Sequence, residues 1–379
     1  MSTSTPTAPK PGGQTAATFA GRLARLHAEL ARDNVPVADM RRAETLELQL
    51  AGVPDLGRTP HGGGEIERLE GPVVARRVPA AAAGSSRLRY FLDGSQRTFL
   101  VYRLGVVPAI ATVAAAAILV RDANGNPTIS PGTLRLKHAW LVPRRSSEPL
   151  VQELVRRIDA LGMEIADPLE PLADDEEAYA AVAGDYGLMV EHAYVRARKV
   201  REELENDLLG DWVNDQARAV DDGWIVVDGR LRMAAPKALG LVKDLTSQHL
   251  AGPEAIALFG LPPGFRTTAF RAKDRFRGVG VEADGSPAAT GSNAPCLWYL
   301  RLWDASGLDA RHALVRVEAA PAVCDSAEID RLSGWLMAER TPRATADARW
   351  ATLLYPVHYL EQILKRRVEA DTRGWPGAR

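Results

Sequence analysis

The chain has 379 residues, of which 46% are hydrophobic and 25% charged, a composition typical of soluble globular proteins with one large domain or two smaller ones. Its formal net charge of −1 gives no overall attraction to nucleic acid. The two cysteines, Cys296 and Cys324, are too few for a disulfide framework or a cysteine-rich zinc site, and they favour a reducing cytoplasm as the location.

The N-terminal part is predicted to be a disordered tail followed by one helix and a loop. Residues 1–15 are rich in Ser, Thr, Pro and Gly and lack the apolar core of a signal peptide. Residues 16–72 form the helix and loop region, in which 52–64 is rich in Pro and Gly. The helical stripe consists of Phe19, Leu23, Leu26 and Leu30. This helix either packs on the protein's own core or offers a docking face to a partner.

A strand-rich block is predicted from residue 73 to about residue 141, interrupted by a turn at Asn124-Gly125-Asn126-Pro127. Its most apolar part, 104–120, contains Pro108 and falls short of the ~20 residues that a membrane-spanning helix needs. Two adjacent buried strands explain this part better, so we expect no membrane association.

Helices and strands then alternate along the rest of the chain. Apolar residues at helical spacing predict a helix over 148–161 and one or two longer helices over 178–220. Strand-like runs follow at 224–227, 239–243, 296–302 and 313–318, and two helices, 326–337 and 353–369, close the chain. This order predicts an α/β fold with a central mixed sheet.

Two of the strand-like runs end in an Asp-Gly pair, Asp93-Gly94 after 89–92 and Asp228-Gly229 after 224–227. A carboxylate at the end of a buried strand is held rigidly, and two such carboxylates side by side suit hard divalent cations. That is a minimal apparatus for cutting phosphodiesters with metal-activated water. The alternative is that each pair forms only a hairpin turn, because Asp-Gly is the strongest short hairpin signal.

The order of the motifs resembles that of the NurA family of nucleases, over most of the chain from about Tyr90 to Arg367. The matching segments are Tyr90-Phe91-Leu92-Asp93-Gly94-Ser95, Val226-Val227-Asp228-Gly229-Arg230-Leu231, Leu239-Gly240-Leu241-Val242-Lys243-Asp244, the pair Tyr299-Leu300-Arg301-Leu302 and Val315-Arg316-Val317-Glu318, and Tyr355-Pro356.

This resemblance implies an RNase H-like mixed sheet with flanking helices, a nuclease domain spanning 73–379 and a helical insertion at about 148–220. It implies a metal-dependent deoxyribonuclease, acting as a 5′-3′ exonuclease and single-strand endonuclease by two-metal-ion hydrolysis with Mn²⁺ or Mg²⁺. It also implies DNA as the substrate, a homodimer, and a HerA-type hexameric ATPase as partner, in end resection or phage defence.

The resemblance also assigns the site residues. Asp93 and Asp228 would hold one or two ions, and an acidic residue on the preceding helix would complete the shell. Glu205 is our choice for that residue, with Glu202 and Asp211 as alternatives. The other explanation of these acidic residues is that they are solvated charges on a long helix.

Members of this family commonly carry a histidine about two helical turns after the Tyr-Pro pair, and this chain has none near Gln362 or Ile363. His358, three residues after Tyr355, lies on almost the same helical face and is the candidate substitute. Lys243, or the Tyr355 and His358 pair, would contact the scissile phosphate. Lys243 could equally be an exposed lysine at a strand end, and His358 a surface histidine.

The strongest basic segment outside this site is 270–277, where cations alternate with Phe270 and Phe276. Such a mixture can hold a nucleic-acid backbone and stack an unpaired base. Its candidate nucleic-acid-binding residues are Arg271, Lys273, Arg275 and Arg277. The alternative is an amphipathic strand with a basic outer face.

Two competing functions remain at this point. The missing histidine would fit a weakly active or inactive nuclease-like adaptor subunit of a HerA-type complex. An unrelated metal-dependent phosphohydrolase acting on small nucleotides would leave the basic segment unexplained. No GxxxxGK[ST] phosphate loop occurs, so the chain is not itself the ATPase.

Overall fold

The computed structural model describes residues 18–33, 40–42, 66–82, 84–122, 124–218, 222–233, 235–243, 249–272, 294–305, 310–341 and 350–375. Predictions for the tail 1–15, the loop 52–64 and the basic residues Lys273, Arg275 and Arg277 fall outside these residues.

The described residues contain one mixed sheet of thirteen strands. The strands are β1 (Met40–Arg42), β2 (Ile66–Arg68), β3 (Ala75–Arg77), β4 (Leu88–Leu104), β5 (Val107–Arg121), β6 (Pro127–Ile129), β7 (Arg135–Leu141), β8 (Trp224–Asp228), β9 (Ala238–Val242), β10 (Phe265–Thr267), β11 (Phe270–Ala272), β12 (Cys296–Arg301) and β13 (Leu314–Ala319).

Seven α-helices lie within the described part of the chain. They are α1 (Phe19–Arg32), α2 (Pro149–Ala160), α3 (Glu176–Ala183), α4 (Tyr186–Arg218), α5 (Gly252–Phe259), α6 (Ser326–Glu339) and α7 (Tyr355–Thr372). The α/β class with a central mixed sheet is therefore confirmed. None of these helices is long and apolar enough to cross a membrane.

The centre of the sheet has the order β7-β5-β4-β8-β9 and continues through β13 and β12. β4 and β5 are antiparallel, and so are β5 and β7. After the helical segment α2 to α4 the chain returns to the other side of β4, where β8 runs parallel to it and β9 runs parallel to β8. The two predicted aspartate strands are thus direct neighbours.

Helices cover both faces of this centre, and the alternation of side chains along each strand determines which face a residue joins. One face contains Phe91 and Val226 and packs against α1, α2, α6 and α7. The other contains Leu92 and Val227 and packs against α4. Because β8 is covered on both faces, its residues 224–227 read as a continuous apolar run.

The 104–120 stretch is buried strand, as predicted, but it forms one strand and not two: only Leu104 belongs to β4, Gly105-Val106 make a tight turn, and the rest is β5. The four apolar residues of α1 are at most 5% exposed and belong to the main core. The alternative in which α1 packs on its own core is therefore confirmed, and the prediction of a docking face on its apolar stripe is wrong.

The prediction that Asp93-Gly94 ends a strand is also wrong, as is the hairpin alternative for that pair. β4 is a continuous strand of 17 residues, and β5 pairs with it through Asp93, Gly94 and Ser95. Asp228 does end its strand, as predicted, but the chain leaves Asp228-Gly229 toward the parallel strand β9 and forms no hairpin. Burial of the whole run overrides the local preference of Asp-Gly for a turn.

Candidate metal centre

Asp93 lies in the middle of β4, opposite the end of β8. Leu92 pairs with Val227 in the parallel register, so the next residues, Asp93 and Asp228, lie side by side. The Asp93 side chain is buried, with 6% exposure for the residue. Its Oδ1 accepts a hydrogen bond of 2.8 Å from the Gly94 N–H, while its Oδ2 is buried and has no hydrogen-bond partner within the described residues. A buried carboxylate oxygen without a donor is costly.

Helix α4 brings Glu205 onto the sheet directly above Gly94. A Cβ atom added at Gly94 would lie 2.1 Å from Glu205 Oε1 and 2.9 Å from Arg201 Cγ. Only glycine at this position therefore allows the helix to carry its carboxylate so close to the strand that bears Asp93. Arg201, one turn earlier on α4, approaches Glu205 Oε1 with its Nε at 3.2 Å.

Asp228 is partly exposed at the end of β8 and forms an ion pair with Lys243, which follows β9. The Lys243 Nζ lies 2.7 Å from Asp228 Oδ2, and the lysine side chain is only 14% exposed. Lys243 is therefore not the exposed strand-end residue of the alternative interpretation. It belongs to the same cluster as the carboxylates.

The field in this cluster favours the protonated acids. Burial raises the pKa of Asp93 well above its usual range, and the charges of Asp228 and Glu205 add to the effect, while Lys243 opposes it. Burial also raises the pKa of Glu205 to about 7, although the neighbouring Arg201 lowers it. The cause is thus desolvation first and crowding of like charges second.

The other acidic candidates on α4 have different partners. Glu202 forms an ion pair of 2.6 Å with Arg232 and contributes to the raised pKa of Glu205. Asp211 pairs with Arg135 and its side chain is 60% exposed. Among the three predicted acidic residues, Glu205 is the one placed over Gly94.

Helix α7 supplies the remaining predicted residues and one that the sequence did not reveal. Tyr355 begins the helix and is exposed, and His358 Nδ1 lies 3.7 Å from Oε2 of Glu361. Glu361 also pairs with Lys365 at 3.0 Å, is 12% exposed and adds to the raised pKa of Asp93. Glu361 could have been found in the sequence from its position, one residue before the place where the family carries its histidine.

Arg271, one of the predicted nucleic-acid-binding residues, is committed to the protein itself. It lies in β11, approaches Glu67 at 3.3 Å and donates a hydrogen bond of 3.0 Å to the Pro321 carbonyl, with only 14% of its side chain exposed. Its guanidinium therefore already has internal acceptors, and contact of Arg271 with nucleic acid stays a prediction.

The donors of this cluster are the type that Mn²⁺ and Mg²⁺ prefer, since they are all carboxylate oxygens and one of them, Asp93 Oδ2, is buried without a donor. Within the described residues, no group of three or more His, Cys, Asp or Glu side chains is arranged as it stands to hold a metal ion. Asp228 is turned toward Lys243 and Glu205 toward Arg201. Asp93 and Asp228 thus lie side by side, and the charge of Glu205 acts on Asp93, while Asp228 and Glu205 each face a cation of the protein.

Comparison of the chain with protein-family models and with curated proteins found no match.

Proposed function

We propose that this protein is a metal-dependent nuclease of the NurA type that hydrolyses phosphodiesters of DNA. One observation carries the proposal. Asp93 and Asp228 lie side by side on parallel strands, Glu205 stands over Gly94, and one buried oxygen of Asp93 has no donor within the described residues. A buried carboxylate oxygen without a donor is available to a cation.

The order of the sheet supports the RNase H-like part of the proposal. An antiparallel group, β7-β5-β4, is followed through a helical segment by two strands parallel to β4. The candidate residues come from the first strand, the long helix and the first parallel strand, which is the arrangement that the resemblance implies for Asp93, Glu205 and Asp228.

In this proposal Asp93, Glu205 and Asp228 hold the Mn²⁺ or Mg²⁺ ions. When bound, the ions activate water as the nucleophile and neutralise charge on the leaving oxygen. The burial that raises the pKa of Asp93 and Glu205 also makes their carboxylates strong partners for a divalent cation.

The cations of the cluster neutralise the substrate phosphate and hold Glu205 in place. Lys243, released from Asp228, places its ammonium against a phosphate oxygen, and Arg201 keeps Glu205 directed at the strand. Tyr355 and His358 at the start of α7 also contact the scissile phosphate. A point charge such as Lys243 neutralises a phosphate without fixing its orientation, which the carboxylate-bound ions do.

The partners belong to the same proposal. They are DNA, a second copy of the chain in a homodimer, and a HerA-type hexameric ATPase, in the cytoplasm. The biological setting is end resection or phage defence.

One observation favours a second candidate, a weakly active or inactive adaptor subunit of a HerA-type complex. Two of the three carboxylates already have a cation of the protein, Lys243 at 2.7 Å from Asp228 and Arg201 at 3.2 Å from Glu205. An adaptor would keep these pairs permanently, and added divalent cation would leave it unchanged.

The experiment that separates the two candidates is degradation of end-labelled single- and double-stranded DNA with Mn²⁺, Mg²⁺ or EDTA. We expect cutting by the wild type that requires the metal and disappears in Asp93→Ala and Asp228→Ala. Asp211→Ala is the matched control, since Asp211 is an acidic residue of the same helix as Glu205 but is exposed, and it should cut normally. Failure of the wild type to cut, also with a cognate HerA-type ATPase present, would contradict the nuclease and favour the adaptor.

A further inference from the structure

Strand β13 contains a buried ion pair that the proposed catalytic role leaves unexplained. Arg316 and Glu318 have side chains only 1% and 0% exposed, and Arg316 Nε donates a hydrogen bond of 3.1 Å to Glu318 Oε1. Removing both charges from water costs about as much as their attraction returns, so such a pair is weak evidence for a purely stabilising role. Its position in the sheet indicates another role.

Glu318 reaches across the sheet to the turn that follows Asp228. Its Oε2 accepts a hydrogen bond of 2.9 Å from the N–H of Leu231. The residue between them is Gly240, which pairs with Glu318 in the register of β13 and β9. A Cβ atom on Gly240 would lie 2.7 Å from the Leu231 nitrogen and 2.9 Å from the Gly229 carbonyl oxygen. The turn therefore lies directly on Gly240, and no larger residue fits beneath it.

A second hydrogen bond holds the beginning of the same turn. The N–H of Gly229 donates to the Leu241 carbonyl at 2.9 Å, and Gly229 has a φ of 122°, which residues with a side chain rarely adopt. The two bonds, from Gly229 and from Leu231, hold the chain on either side of Arg230. They fix the direction in which the chain leaves β8, and with it the orientation of the Asp228 backbone.

We propose that Glu318, oriented by Arg316, is a positioning residue that holds the Asp228 turn on Gly240 and so sets the affinity of the carboxylate site for its divalent cation. This inference rests on the proposed function for its metal part. The hydrogen bond to Leu231 explains why the charge of Glu318 is kept in the sheet, since a carboxylate accepts more strongly than a neutral group. Residues behind the ligands of metal sites typically change metal affinity or activity by about 10- to 100-fold.

The test combines hydrogen exchange of the segment 229–231 with calorimetric titration of Mn²⁺, neither of which requires cleavage. We expect Glu318→Ala to speed exchange of the Leu231 amide and to weaken Mn²⁺ binding at least about tenfold. Glu318→Gln keeps an acceptor and should restore most of both properties. Gly240→Ala, which keeps the ion pair but displaces the turn, should reproduce the Glu318→Ala result.

The control is Glu339→Ala, at another buried carboxylate that is not part of this turn. Glu339 pairs with Arg121 at a distance of 2.6 Å. It should lower stability without changing Leu231 exchange or Mn²⁺ affinity. A folded Glu318→Ala with wild-type exchange and wild-type affinity would overturn the proposal. If Glu318→Ala does not fold, Gly240→Ala decides in the same way.

The outcome for the proposed function is separate. A wild type that neither binds Mn²⁺ nor cuts DNA would contradict the nuclease, yet exchange at Leu231 would still show whether Glu318 holds the turn. Normal Mn²⁺ binding and cutting in the wild type, unchanged in both Glu318→Ala and Gly240→Ala, would reject the positioning role alone.

Discussion

Two buried clusters of charged side chains lie in the same sheet and are built in opposite ways. In the first, Arg266 is fully buried and binds Glu70 at 2.6 Å and Asp330 at 2.6 Å. Arg76 adds a second guanidinium at 3.1 Å from Glu70, and the Ala269 N–H donates to the same carboxylate. Although burial alone would raise the pKa of Glu70, these donors hold it at about 2.

The second cluster is the candidate metal centre. Its carboxylates outnumber the nearby cations, Asp93 Oδ2 lacks a donor in the described structure, and the pKa of Glu205 is raised to about 7. Glu202 and Glu361 add further negative charge from α4 and α7. The first cluster thus stabilises its charges, whereas the second is destabilised by them.

The difference indicates which of the two clusters can gain free energy by binding a ligand. A satisfied network fixes the packing of β10 against α6 and has nothing left to bind. An acidic cluster with a deficit of donors can gain much from a divalent cation, which explains why strongly shifted pKa values gather at functional sites. Each of the following predictions tests this contrast.

The largest expected effect is at Asp93. Asp93→Asn keeps the shape of the side chain but removes a charged ligand, so cutting of DNA should fall by at least about a thousandfold. Stability in EDTA should stay unchanged or rise by up to about 1 kcal/mol, because repulsion from Asp228 and Glu205 is relieved. Urea denaturation and the labelled-DNA assay measure the two quantities. A clear loss of stability would show that Asp93 is a structural residue.

The next largest effect is expected at Glu70, where the substitution should lower stability and leave cutting unchanged, the opposite of Asp93→Asn. Glu70→Gln leaves Arg266 and Arg76 without a full counter-charge and should cost about 3 kcal/mol of stability, the lower end of values for broken buried pairs. Cutting per folded molecule should not change. Urea denaturation beside the same DNA assay provides the measurement, and reduced specific activity of the folded variant would contradict the separation of the two clusters.

The two clusters should also give the stability opposite dependences on pH. Glu70 has a pKa of about 2 in the folded protein against 4.5 in the unfolded chain, so its contribution is complete above pH 4.5 and is lost as pH falls toward 2. Glu205 has a folded pKa of about 7, so the folded state binds its proton more tightly than the unfolded chain. That contribution is complete below pH 4.5 and is lost as pH rises to 7.

Denaturation midpoints measured in EDTA should therefore be highest near pH 5 and fall on both sides. Mn²⁺ should restore stability near pH 8, where Glu205 is ionised, and have little effect at pH 5. Glu70→Gln should flatten only the acid side and Glu205→Gln only the neutral side. An Mn²⁺ effect of equal size at both pH values would contradict the assignment to the carboxylates.

The smallest expected effect is at Glu361. Glu361→Gln removes one negative charge beside Asp93, and the Mn²⁺ concentration for half-maximal binding should rise about two- to fivefold. Glu369→Gln, at an exposed position of the same helix, should leave it unchanged. A loss as large as that of Asp93→Asn would instead make Glu361 a direct ligand.

Much of the fold could be predicted because the central strands are long, apolar and buried. The runs at 224–227, 296–302 and 313–318 became β8, β12 and β13, and the helical region 178–220 divided into α3 and α4 near Gly184. These elements carry strong periodic signals of their own. The short strands β1, β2 and β10 escaped prediction, because three residues hold too little pattern and depend on their partners.

The candidate site was predicted only in part, because its residues interact with partners that are far away in the sequence. Asp93 and Asp228 could be found because each follows an apolar run, but their adjacency requires the parallel register of β4 with β8. Gly94 read as a turn residue because local sequence cannot show that Glu205, more than a hundred residues away, needs the space above it. Glu318 and Gly240 escaped for the same reason, since their role exists only across the sheet.

The unequal lengths of β4 and β8 give the two halves of the site unequal mobility. Asp93 is flanked by paired strand on both sides, and β4 continues to Leu104, so its amides should exchange only when the whole domain opens. β8 ends at Asp228, and the turn beyond it is held by two hydrogen bonds. In the proposed nuclease, a cation of different radius or a bent substrate would therefore be accommodated by movement of the Asp228 half while the Asp93 half stays in place.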